Sequence, residues 1–161
     1  MKILVSACLL GINCKYNGGN NKKEILVEAF KKGVLIPVCP EQLGGLPTPR
    51  QPAKIKGKDG REVIEGKGKV LTVTPPFKDV TENFLRGARE TLKIALMLEA
   101  SACILKEKSP SCGVLKIYDF YSDNLKAGMG VTTALLRLNG FEVVSSDEEE
   151  KIIKLLSEWV G

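Results

Sequence analysis

Four short apolar, β-prone runs, mostly separated by stretches of helical periodicity, limit what this chain can fold into. They are Ile3–Ser6, Val34–Val38, Ala102–Leu105 and Phe141–Val144. Runs of this length without polar alternation suit strands buried on both faces of a parallel sheet. Lys22–Lys32 sets Ile25, Leu26, Ala29 and Phe30 at helical spacing, with Gly33 as its stop. Thr81–Ala100 reads as a helix capped by Thr81, with Phe84, Leu85, Ala88, Leu92, Ala95, Leu96 and Leu98 as its apolar face. Gly128–Leu138 and Asp147–Val160 supply two further helices. The alternation predicts an α/β fold: a mostly parallel, Rossmann-like sheet of about four strands, flanked by helices and joined by right-handed crossovers. With 161 residues and no repeat or linker, the expectation is a single domain over the whole length.

Residues 44–79 break this pattern. They hold Gly44 and Gly45 together with Pro47, Pro49, Pro52, Pro75 and Pro76. Within them, Asp59-Gly60 between Lys54–Gly57 and Arg61–Ile64 predicts a β-hairpin turn. An irregular stretch of this length in a compact domain reads as a site wall or lid, or else as a small structural hairpin.

The chain has no histidine, which removes Ser-His and Cys-His nucleophile pairs and His-bearing zinc sites. It has five cysteines, Cys8, Cys14, Cys39, Cys103 and Cys112. The odd count and the lack of a secretory pattern argue against a disulfide framework and for a cytoplasmic setting. No apolar run approaches the roughly 20 residues of a membrane span. The net charge of +5 comes from lysines spread along the chain, which reads as a solvated surface more than as a nucleic-acid patch.

The cysteines are not scattered at random over this pattern. In open α/β sheets, ligands bind beyond the carboxyl ends of the strands. Cys8 follows the first strand, Cys39 ends the second, and Cys112 lies in the loop after the third. Cys103 falls inside the third strand and reads as core, while Cys14 sits in the first loop with no fixed place. The alternative for all five is burial as small hydrophobes. Three convergent thiolates without histidine suit a soft metal or an iron–sulfur cluster. A cubane cluster with three protein ligands keeps one iron open as a Lewis acid.

The sequence around these positions is more specific. Val5–Gly11 (VSACLLG), Lys15–Gly19 (KYNGG), Cys39–Arg50 (CPEQLGGLPTPR) and Lys106–Gly113 (KEKSPSCG) resemble the family catalogued as domain of unknown function 523. The likeness continues through Asp79–Ala88 and Gly128–Leu136 and so covers nearly the whole chain. Members of that family include thiouracil desulfidases. The resemblance implies a [4Fe-4S] cluster on Cys8, Cys39 and Cys112, and a non-redox conversion of a thiolated pyrimidine or nucleoside to its oxo form and hydrogen sulfide. Lys15 and Lys54 stand where arginine and an acidic residue are expected in many relatives, and the change at Lys54 bears on substrate preference.

Without histidine, the proton carrier must be a carboxylate, lysine, tyrosine or water chain. Glu41, two residues after a ligand cysteine, is the first candidate, with pairing to Arg50 as its plain alternative. Ser109 is the second catalytic candidate, while Ser111, Lys106 and Arg50 are candidates for binding the pyrimidine. Ser109 and Ser111 would otherwise only shape the turn around Pro110. Two rival functions remain open: a cluster-free thiol protein handling sulfur or redox equivalents, and an RNA- or nucleoside-binding module, which the lack of a stacking motif leaves unsupported.

Overall fold

In the computed structural model of the chain, residues 2–158 are described. The main sheet contains four parallel strands, β1 (Ile3–Ser6), β2 (Leu35–Val38), β5 (Ala102–Leu105) and β8 (Val143–Ser145), in the order β2-β1-β5-β8. Ile3 pairs with Leu35 on one side and Ala102 on the other, so β1 is central and fully buried. The chain first builds outward from β1 to β2 and then continues on the opposite side with β5. The strand order therefore reverses between β1 and β5, and a crevice opens at their carboxyl ends.

Both faces of the sheet are covered. Ile3, Val5 and Ile104 pack against Leu26 of α1 (Glu24–Lys31) and against Ile152 and Leu156 of α6 (Glu149–Ser157). Leu4, Cys103 and Leu105 meet Ala95 of α4 (Thr81–Leu98) and Leu136 of α5 (Val131–Leu138) on the other face. Cys103 is fully buried there, as expected of a core residue.

A third cluster lies beyond the sheet. There β3 (Ala53–Lys56) pairs antiparallel with β4 (Lys69–Thr72), and Ile55 and Val70 pack with Phe84, Val131 and Val63 of α3 (Gly60–Ile64). This corrects the expected hairpin. Its first strand is right, but Arg61–Ile64 is helical, because the Asp59 side chain caps the Arg61 N–H at 3.0 Å and starts a helix instead of a turn. A second small hairpin, β6 (Lys116–Tyr118) with β7 (Leu125–Ala127), went unpredicted.

Several boundaries also differ. The Asp79 carboxylate accepts from the Thr81 N–H at 2.9 Å, while the Thr81 hydroxyl accepts from Val70 N, so Thr81 is not the cap of α4. The helix expected from Gly128 starts at Val131, the last strand spans Val143–Ser145, and Val160 lies outside the described residues. Ile25, Phe30 and Leu96 are exposed, not core.

Candidate functional site

A cavity of about 430 Å³ occupies the crevice at the carboxyl ends of β1, β2 and β5. Five local structures bring residues to it. Beyond β1 the chain tightens into a single 3-10 turn, Ala7–Leu10, that carries Cys8; Gly11 follows at φ +89°, a conformation that favours glycine. Beyond β2, Cys39 precedes the short helix α2 (Pro40–Leu43), whose first turn holds Glu41. Beyond β5, residues 106–113 bring in Lys106, Ser109, Ser111 and Cys112. The two hairpins form the outer wall through Lys54, Tyr118 and Asp123.

Backbone contact with no room for side chains fixes two of these segments. A methyl group on Gly87 of α4 would collide with the Pro40 carbonyl, and one on Gly44 with the Asn83 carbonyl, so α2 lies directly on α4. At the start of α5, Gly130 lies against the Ser111 backbone, where a methyl group would come 2.5 Å from its carbonyl. The first N–H groups of α5 donate to carbonyls of the cysteine loop: Val131 to Pro110 at 2.9 Å and Thr132 to Ser111 at 2.9 Å. The loop thus satisfies donors that a helix start leaves open.

Cys8, Cys39 and Cys112 all line the cavity, as does Cys14. Cys14, which the sequence left without a place, is buried between two of the others. Its one thiol proton is shared with the Cys39 and Cys8 sulfurs, which pushes its own proton affinity up, and the Cys39 thiol lies 3.8 Å from the Cys14 carbonyl. Proximity to the Cys14 thiol pulls Cys8 and Cys39 below the ordinary thiol range, with Asn21 donating to Cys8 Sγ at 3.7 Å. Cys112 is pushed up to about 12 by burial, against hydrogen bonds from Ser6 and Ser111. A metal or cluster held here would need these thiols as thiolates, so its binding would release protons.

Beside the thiols runs a buried polar chain. Arg50 Nε donates to Glu41 Oε1 at 2.9 Å, with side-chain exposures of 6% and 15%. Other guanidinium N–H groups donate to the carbonyls of Cys14 at 2.8 Å and Pro47 at 3.3 Å and to Thr48 Oγ1 at 3.0 Å. Arg50 therefore ties the first loop, α2 and the segment before β3 into one wall. On its other oxygen, Glu41 accepts from Ser111 Oγ at 2.8 Å and Ser109 Oγ at 3.3 Å, and Ser111 Oγ lies 3.6 Å from Cys112 Sγ. Ser109 Oγ also accepts from the Ser111 and Cys112 N–H groups, both at 3.1 Å, so this hydroxyl shapes the turn and faces Glu41 at once.

Positive charge surrounds the thiols. Lys15, Lys54, Lys106, Lys108 and Arg50 line the cavity, against Glu41 and Asp123. Burial lowers the Lys106 pKa, its ammonium donates to the Glu107 carbonyl, and its own N–H donates to Ser6 Oγ at 2.9 Å. Lys54 donates to the Ser122 carbonyl at 2.8 Å and lies 5.8 Å from the centre of the Tyr118 ring, joining the two hairpins.

All eight site residues expected from the sequence thus meet in one cavity. Among the described residues, no three His, Cys, Asp or Glu side chains gather closely enough to hold a single ion. Four cysteines, Cys8, Cys14, Cys39 and Cys112, line this chamber, and thiolates are the ligands that iron–sulfur clusters take. A model of the 2-thiouracil desulfurase family matches residues 3–148. The chain belongs to that family. It is 44% identical over 152 residues to the uncharacterized protein YbbK of Bacillus subtilis (strain 168), covering 94% of this chain and 99% of that one. Among solved structures it is similar to the [4Fe-4S]-dependent thiouracil desulfidase TudS, with a TM-score of 0.84, 40% identity and 97% of each chain covered. The α/β fold is therefore that of the family. No helix among the described residues is long and apolar enough to cross a membrane.

Proposed function

We propose that this protein is a thiouracil desulfidase that removes sulfur from a small thiolated pyrimidine or nucleoside, releasing hydrogen sulfide and the oxo product, in the cytoplasm, where its five free cysteines stay reduced. The observation that carries this reading is the convergence of Cys8, Cys39 and Cys112 on the chamber that also holds the Arg50–Glu41–Ser111 chain. Family membership and the likeness to TudS support it. The three thiolates would hold a [4Fe-4S] cluster, which supplies a Lewis-acidic iron for the substrate sulfur.

The remaining steps belong to protein groups. Replacing C=S by C=O with water consumes one water and releases one hydrogen sulfide, so two protons move from oxygen to sulfur. Glu41 Oε2 takes a proton from the attacking water, and Arg50 on Oε1 fixes the carboxylate. Ser109 and Ser111, both on Oε2, pass this proton to the departing sulfur and regain theirs from the Glu41 carboxyl, and the second water proton follows the same route as the carbonyl forms. Lys106 and Arg50 orient the pyrimidine oxygen, with Ser111 on the ring edge.

Anaerobic reconstitution with iron and sulfide, followed by sulfide release from 2- and 4-thiouracil, tests this. Cluster-loaded protein should release sulfide and iron-free protein should not. Equal release by iron-free protein would establish thiol chemistry instead. Full cluster loading with no release from either compound refutes the desulfidase reading.

A further inference from the structure

The loop that carries Cys112 encloses a buried acid that the reaction above does not use. Glu107 is 2% exposed, and no lysine or arginine nitrogen among the described residues forms a salt bridge with its carboxylate. Its Oε1 accepts from the N–H groups of Val114 at 2.8 Å, Leu115 at 3.0 Å, Lys116 at 3.0 Å and Lys108 at 3.2 Å. Its Oε2 accepts from Leu115 N at 3.1 Å and from the hydroxyl of Ser145 on β8. The Glu107 N–H donates to Ser146 Oγ at 3.0 Å. A buried charge without a counter-ion is costly unless hydrogen bonds replace its water, and here four backbone donors and one hydroxyl do so.

The arrangement also answers the need of the loop. After Cys112 the chain turns, and the N–H groups of three successive residues, 114 to 116, point at one place. A neutral amide oxygen accepts about two hydrogen bonds comfortably, whereas a carboxylate offers roughly four acceptor sites. On the opposite side, α5 donates to the carbonyls of Pro110 and Ser111, and Gly130 just before it donates to that of Gly113. The loop is thus held by its carbonyls from outside and by its amides from inside. Lys108 even adopts a left-handed conformation, φ +70°, a cost the surrounding bonds must offset.

We propose that Glu107 is a positioning residue: its buried carboxylate orders residues 108–116 and so sets Cys112, Ser109 and Ser111 at the reacting centre. The functional half of this statement rests on the reading of Cys112 as an iron ligand; the ordering of the loop does not.

The test compares the full-length wild type, Glu107→Gln and Ser145→Ala. Backbone amide exchange is measured on iron-free protein, and iron release to a chelator on anaerobically reconstituted protein. In Glu107→Gln the amides of 114–116 should exchange at least tenfold faster while those of α1 and α4 keep their wild-type rates. Iron release should quicken several-fold per folded chain. Ser145→Ala, which removes one donor only, should shift both readouts the same way by less, and it decides the matter if Glu107→Gln fails to fold. Exchange at 114–116 within twofold of wild type, or an acceleration spread evenly over the chain, overturns the proposal. If the wild type takes up no iron, the desulfidase reading falls, and local exchange still decides whether Glu107 orders the loop.

Discussion

Glu41→Gln separates chemistry from architecture, because it keeps the side-chain shape and removes the charge. Two consequences can be worked out from the contacts. Arg50 loses the one carboxylate that pairs with it among the described residues, at a site where both side chains are largely buried, and removing one member of such a pair costs about 3–5 kcal/mol. The lower end applies, since the guanidinium keeps acceptors at Cys14, Pro47 and Thr48. At roughly 2–4 °C per kcal/mol for a chain of this size, about 3 kcal/mol lowers the melting temperature by roughly 6–12 °C. The catalytic effect is separate: loss of a general acid–base group slows turnover by about 10²–10⁴. Melting temperature, iron per chain and sulfide release from 2-thiouracil should be measured on one anaerobic preparation, well below the melting transition. The expected variant is less stable, binds iron as wild type does, and turns over at least a hundredfold more slowly. Activity that falls only in proportion to iron content would reduce Glu41 to a structural partner of Arg50, and full activity would remove it from the mechanism.

Cys8→Ala, Cys39→Ala and Cys112→Ala should each abolish the visible absorbance of the reconstituted cluster, whereas Cys103→Ala should keep the cluster and lose only about 1–2 kcal/mol of stability from its buried site. Iron bound as before in any of the first three would break the ligand assignment. Gly87→Ala should destabilise by about 1–3 kcal/mol by forcing α2 off α4, and should lower iron content by displacing Cys39; unchanged melting and iron would show that the contact yields easily. Burial pushes the Glu107 carboxyl up, but hydrogen bonds from Ser145 and the N–H groups of Lys116, Val114 and Leu115 outweigh it and hold it below the usual range. Stability from this group is therefore complete above the unfolded carboxyl pKa of about 4.3 and drains away as pH falls through the lower folded value. The melting-temperature gap between wild type and Glu107→Gln should be wide at about pH 7 and shrink by about pH 3, and a constant gap would contradict the ionised form.

The sheet was legible because its strands are short, apolar and fully buried, so pattern and environment agree. The same alternation located the carboxyl edge and thus Cys8, Cys39 and Cys112. The second strand of the insertion hairpin was not legible: Asp59-Gly60 serves equally as a turn and as a helix start, and the Asp59 cap on Arg61 N–H together with the packing of Val63 beside Ile55 and Val70 decides for the helix. The hairpin β6–β7 has three-residue strands with exposed ends, too little pattern to detect. Cys14 escaped placement because nothing in a loop sequence says which thiols its fold brings together. Glu107 escaped notice because a glutamate between two lysines reads as surface charge; its role comes from backbone donors, which have no sequence signature.

The inner floor of the chamber comes from the sheet and its tight glycine contacts, while the outer wall comes from two small hairpins joined through Lys54. Selection can therefore retune which molecules are admitted, by exchanging side chains such as Lys54, Tyr118 or Asp123, while the sulfur-bearing floor stays as it is.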